Sequence, residues 1–83
     1  MEAEPLIQEL VREQPGIGAI RLVSEAISRY YKENGRLVGV DWFKVCEDLV
    51  KQHLLIEIEF VTPESDRVKS FFFPVGTILR VKK

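Results

Sequence analysis

An α+β fold of three helices and a small antiparallel sheet is predicted by three observations. Apolar residues recur at helical spacing as far as about residue 53, the period then changes to two, and the pairs Pro15-Gly16 and Asn34-Gly35 divide the helical part into three. The 83 residues, 46% of them hydrophobic, suffice for one core and not two, so residues 1–83 are read as a single domain. A chain of this size buries only about 60–65% of its unfolded surface, which makes a homodimer an expectation.

The first helix opens near Pro5, tolerated there because its missing N–H would have no partner, with Glu4 at the positive end of the dipole. Leu6, Ile7, Leu10 and Val11 give it an apolar stripe, and Pro15-Gly16 ends it. The second runs from about Ile17 to Glu33, with Ile20, Val23, Ile27 and Tyr30 on one face and Asn34-Gly35 as its stop. Arg36–Val40 is a short extended or turn segment. In the third helix Asp41 is the N-cap, and Trp42, Val45, Cys46, Leu49, Val50 and His53 form the buried face that contributes most to the core.

From Leu55 the alternation places Ile56, Ile58 and Phe60 on one side and Glu57 and Glu59 on the other, the pattern of a strand with one solvated face. Thr62–Asp66 reads as a turn and Val68–Phe73 as the returning strand, completing a hairpin. Thr77–Lys82 reads as a third, edge-like strand with a basic end.

Composition excludes several classes. Acidic and basic residues nearly cancel, 13 against 12, so the chain cannot coat nucleic acid by charge alone. Cys46 is the only cysteine, which leaves no disulfide or zinc cluster and fits a reducing, cytoplasmic setting. No apolar stretch approaches the roughly 20 residues that span a bilayer, and Met1-Glu2-Ala3-Glu4-Pro5 is acidic where a signal peptide would be basic, so no membrane association is expected.

No catalytic, metal or cofactor site is expected. His53 and Cys46 lie on the apolar face of the third helix, about 10 Å apart by helical rise, too far for one to activate the other. Glu57 and Glu59 share a strand face that reads as solvated, and Gly16-Ile17-Gly18 lacks the third glycine and preceding strand of a phosphate loop. Without a nucleophile or base at a shared point, the chain is read as a binding module and not an enzyme.

The run Leu37-Val38-Gly39-Val40-Asp41, continuing through Val45, Leu49, Val50, Leu54, Leu55 and Ile56 to Phe60, resembles the second half of a winged helix-turn-helix domain. The resemblance implies that Asp41–His53 is a recognition helix and Thr62–Arg67 a wing tip. It also implies a strand between the first two helices; the link Pro15–Gly18 leaves little room for one, and Arg36–Val40 is the alternative. A transcription-regulator type of protein binding double-stranded DNA follows as the leading expectation.

On that reading the contact residues are Lys44 and Lys51 on the helix, Arg67 and Lys69 near the wing, and Arg80 and Lys82 beside Lys83 at the end. Residues 1–20 hold four acids and one base, so the basic excess lies downstream. Asp41, Glu47 and Asp48 on the same helix oppose it, since carboxylates repel phosphates. The competing reading is a protein partner docked on aromatics. Trp42 and Phe43 cannot both face the core, and Phe71 and Phe73 alternate opposite Phe72, which makes these four the candidate anchors. The acidic, amphipathic first helix is a further candidate for pairing two copies.

Overall fold

The computed structural model describes residues 2–35 and 39–78, with the side chains of Thr62, Ser65, Asp66 and Arg67 outside the description. Helix α1 (Ala3–Glu13) presents Leu6, Ile7, Leu10 and Val11 on one face, and all four are fully buried. They are four of the six largest side chains with essentially no exposure, so α1 and not the third helix is the centre of the core. At about 1.5–3 kcal/mol each, their burial is of the same order as the whole net stability of a small domain. This consumes the apolar face of α1 and removes it as an element for pairing two copies.

Gly16, at φ 87°, turns the chain after α1, and its N–H donates to the carbonyl of Phe72 at 2.7 Å. Two residues, Ile17–Gly18, then form strand β1 before helix α2 (Ala19–Asn34) begins. The strand between the first two helices is therefore here, in the link that looks too short for it; Gly39 and Val40 are not in a strand, and residues 36–38 lie outside the described residues. The late start of α2 rotates its buried face to Leu22, Val23 and Ala26 and leaves Ile20 79% exposed, which corrects the expected Ile20 stripe. Gly35, at φ 71°, stops α2 with its N–H donating to the Tyr31 carbonyl at 2.8 Å, and the Asn34 amide donates to the Tyr30 carbonyl at 2.9 Å.

Helix α3 (Trp42–Lys51) is capped by Asp41, whose carboxylate accepts from the Lys44 N–H at 3.1 Å. It ends two residues earlier than its apolar pattern suggests. The His53 N–H donates to the Val50 carbonyl at 3.0 Å and the Leu54 N–H to the Leu49 carbonyl at 2.9 Å, the two bonds of a Schellman stop, with His53 left-handed at φ 60° in the place glycine favours. His53 is exposed, not on the buried face.

Strands β2 (Leu55–Thr62) and β3 (Ser65–Pro74) form the hairpin, and β1 adds antiparallel to the other side of β3, giving the order β1-β3-β2. The third strand is thus Ile17–Gly18 and not Thr77–Lys82: Thr77 and Ile78 are not in a strand, and residues 79–83 lie outside the described residues.

Register fixes which side chains share a face. Leu55, Glu57 and Glu59 pair with Pro74, Phe72 and Ser70, and Ile17 with Phe72. This is the inner face, because Leu55, Phe72 and Ile17 are buried against the helices. Ile56, Ile58 and Phe60 pair with Phe73, Phe71 and Lys69 on the outer face. The expectation that the glutamates face solvent on the outside and the isoleucines face the core is therefore reversed. The outer aromatics are instead accommodated locally. Phe71 meets the edge of Phe60 with ring centroids 5.6 Å apart. A Cβ on Gly16 would lie 3.3 Å from Phe73 Cε1 and one on Gly18 3.9 Å from Phe71 Cε1, so the rings lie over bare glycine backbone.

Candidate functional site

The hairpin is longer than the helical layer that covers it. Helices reach the inner sheet face at Leu55, Phe72 and Ile17; beyond those residues the same face forms the floor of an open groove of about 1010 Å³. Ile20 and Arg21 at the start of α2 form one wall, Phe43 and Glu47 of α3 the other. Glu57 and Glu59 rise from the floor, and Val68, Lys69 and Ser70 of β3 form the rim.

The groove lining carries charges of both signs, Arg21 and Lys69 beside Glu47, Glu57 and Glu59. Arg21 approaches Glu25 at 3.5 Å and Lys51 pairs with Glu47 at 3.0 Å, which holds the Lys51 ammonium above its ordinary range. Among the described residues neither Glu57 nor Glu59 has an ion-pair partner. Cys46 lies at the base of the groove, and burial, reinforced by the nearby Glu57 carboxylate, pushes its thiol from 9.0 up to about 11. A thiol in that state is a neutral packing group and not a nucleophile.

The groove also has an apolar component. Phe43 is 59% exposed, and Ile20 and Val68 are exposed beside it, so three large apolar side chains border the carboxylates. Clustered exposed hydrophobics of this kind mark contact surfaces. Trp42, by contrast, is 7% exposed and meets the Tyr30 ring edge-on at 5.3 Å between centroids, so it is a core residue and not a docking anchor. Phe71 and Phe73 are half-buried on the outer sheet face, and Phe71 also borders the groove.

The expected basic surface is not assembled by the described residues. Lys44 is exposed on α3, Lys51 is engaged by Glu47, and the register partner of Lys69 is Phe60, which sets the Lys69 side chain on the outer face. The Arg67 side chain, Arg80 and Lys82 lie outside the described residues.

His53 borders a separate small cleft of about 190 Å³ with Arg12 and Leu54, remote from Cys46. Among the described residues no three of His, Cys, Asp and Glu are grouped to hold a metal ion, and no helix is long and apolar enough to cross a membrane.

Sequence reasoning misses Ile20, Glu57, Glu59 and Val68 as site residues, because alternation shows that two faces exist and not which one the helices cover. The available signal is Phe72: a strand reading Phe71-Phe72-Phe73 must bury one parity, and pairing Phe72 with Glu57 brings the glutamates to the helix side. Comparison with protein-family models, with curated proteins and with solved structures returned no match.

Proposed function

We propose that the chain is a non-enzymatic protein-recognition module on a winged-helix-like frame, acting in the cytoplasm, and that the groove between α3 and the hairpin is its working surface. The order helix, strand, helix, helix and hairpin, with the first strand paired to the last, supports the winged-helix resemblance. On that frame α3 and the hairpin are the parts that would meet DNA.

The observation that carries the protein reading is the charge between those two parts. Two carboxylates without an ion-pair partner among the described residues, Glu57 and Glu59, stand there with exposed Phe43, Ile20 and Val68, and phosphates approaching them are repelled while apolar and cationic side chains are attracted. Lys44 is the one exposed cation of α3 not engaged by a carboxylate side chain among the described residues, too little for a phosphate-tracking surface.

The test is a pair of titrations of isotope-labelled protein at low salt. Random-sequence duplex DNA is expected to leave the amide signals of α3 and the hairpin unshifted. Phage-displayed random peptides selected on the wild-type chain, and counter-selected on Phe43→Asp, are expected to be enriched in lysine, arginine and aliphatic residues and to shift the groove signals. Saturable duplex binding whose strength falls steeply with salt, mapped to α3, would establish the nucleic-acid reading in its place.

A further inference from the structure

The two sides of β3 are unequally paired. Along one side β2 accompanies it through the whole hairpin, while on the other β1 covers only Phe71 and Phe72. After Gly18 the chain turns directly into α2, so the strand position beside Val68, Lys69 and Ser70 has no occupant among the described residues. That vacant position lies along the rim of the groove. An open strand edge is a template for a further strand, and here it sits beside unpaired carboxylates and exposed apolar side chains.

We infer that the groove takes an extended segment of another protein, carrying a basic and an aliphatic side chain two residues apart on its groove-facing side, which adds as a strand to β3 in line with β1. This rests on the protein-recognition reading and names its partner chemistry. Charge complementarity selects the basic component. Glu59 is the register partner of Ser70, so it stands two strand spacings, about 9.6 Å, from a strand added at the open edge. A lysine or arginine stem extending over the small Ser70 side chain meets the glutamate, which extends from the opposite side. Glu57, two residues along β2, faces Phe72, whose other neighbour is Ile17 of β1, so it lies beyond the end of the added strand and contributes its negative charge from about 6.8 Å further along. The aliphatic component is selected by Val68, which shares the face of Ser70 two residues along β3, so an aliphatic side chain two residues from the basic one covers it on the side of Ile20 and Phe43.

The full chain, isotope-labelled, is titrated with four probes: a capped hexapeptide with lysine and valine taking turns at every second position and threonine between them, the same peptide with glutamate for lysine, the lysine peptide N-methylated at every backbone amide, and random-sequence duplex DNA. The lysine peptide is expected to shift the amides of Val68, Lys69 and Ser70 together with those of Glu57 and Glu59. N-methylation, which removes the strand's donors, is expected to weaken binding ~10-fold or more, and so is the double substitution Glu57→Gln with Glu59→Gln. Equal binding of the N-methylated peptide, or shifts confined to the free edge of β2, overturns strand addition while leaving protein recognition standing. Equal binding of the glutamate peptide overturns the charge selection. Silence from all four probes overturns the inference. Shifts on α3 from duplex DNA alone overturn the protein-recognition reading beneath it.

Discussion

Glu57→Gln tests the arrangement of the groove through a reporter that already lies in it. Cys46 is the only thiol of the chain, and its ionisation rises from 9.0 to about 11, first because burial penalises the thiolate and second because the Glu57 carboxylate repels it. Neutralising Glu57 removes the second cause and leaves the first. The thiol should therefore fall back toward 9.0 by roughly one pH unit or less, since burial is the larger contribution. Glu59→Gln is the control and should change the thiol far less. The assay is the Cβ chemical shift of a chain labelled only at cysteine, followed across the alkaline range. Stability follows the same titration with a definite sign. The folded-state ionisation is raised above the unfolded one, so the folded state keeps its thiol protonated where the unfolded chain has lost that proton. The contribution is fully present below pH 9.0 and is lost as pH rises toward 11, on the order of 2–3 kcal/mol in all. Subtracting the pH profile of Cys46→Ala isolates it from the tyrosines and lysines that titrate nearby. If Glu57→Gln leaves the Cys46 curve where it was, Glu57 does not face α3, the sheet register is wrong, and the groove loses its acidic floor.

Three further outcomes probe the frame. Leu10→Ala, at a fully buried site, should cost about 2–5 kcal/mol in urea unfolding, enough to bring a domain of this size near its midpoint, whereas Leu54→Ala at a partly exposed one should cost under about 1 kcal/mol; equal losses would displace α1 from the centre of the core. His53→Gly should stabilise by about 0.5–1 kcal/mol, because glycine adopts the left-handed stop of α3 without the strain a side chain meets, and a loss of stability would mean that the imidazole itself is needed there. Gly16→Ala should cost roughly 1–3 kcal/mol, since it combines φ 87° with a Cβ 3.3 Å from the Phe73 ring; an unchanged urea midpoint would show that this turn is not fixed as described.

Local chemistry was legible wherever one residue type decides the outcome. Asp41 caps α3, Asn34-Gly35 stops α2, and α1 carries its stripe on Leu6, Ile7, Leu10 and Val11, each as its sequence implies. What escaped depends on residues far apart in the chain. Ile17–Gly18 is too short to show a period, and it is a strand only because Phe71 and Phe72 lie beside it. The end of α3 escaped because the stop is a histidine in a conformation usually signalled by glycine.

The reversed sheet is the most informative discrepancy. Burial alone favours Ile56, Ile58 and Phe60 inward, yet these face outward, and the inner face from Glu57 onward carries carboxylates toward α3. The core accounts for part of this: Leu55, Phe72 and Ile17 must share one side to close over α1, and their register forces Glu57 and Glu59 to follow. It does not account for the glutamates themselves. At positions 57 and 59, threonine or valine would satisfy the same register, pack better beside Val68 and Phe43, and relieve the repulsion on the Cys46 thiol. Uncompensated departures from what folding favours concentrate where a surface serves a partner. Here the departure coincides with the unpaired edge of β3 and with three exposed apolar side chains. A cationic, extended partner would resolve all three features together, pairing the Glu59 carboxylate, completing the sheet and covering the hydrophobic rim at Val68.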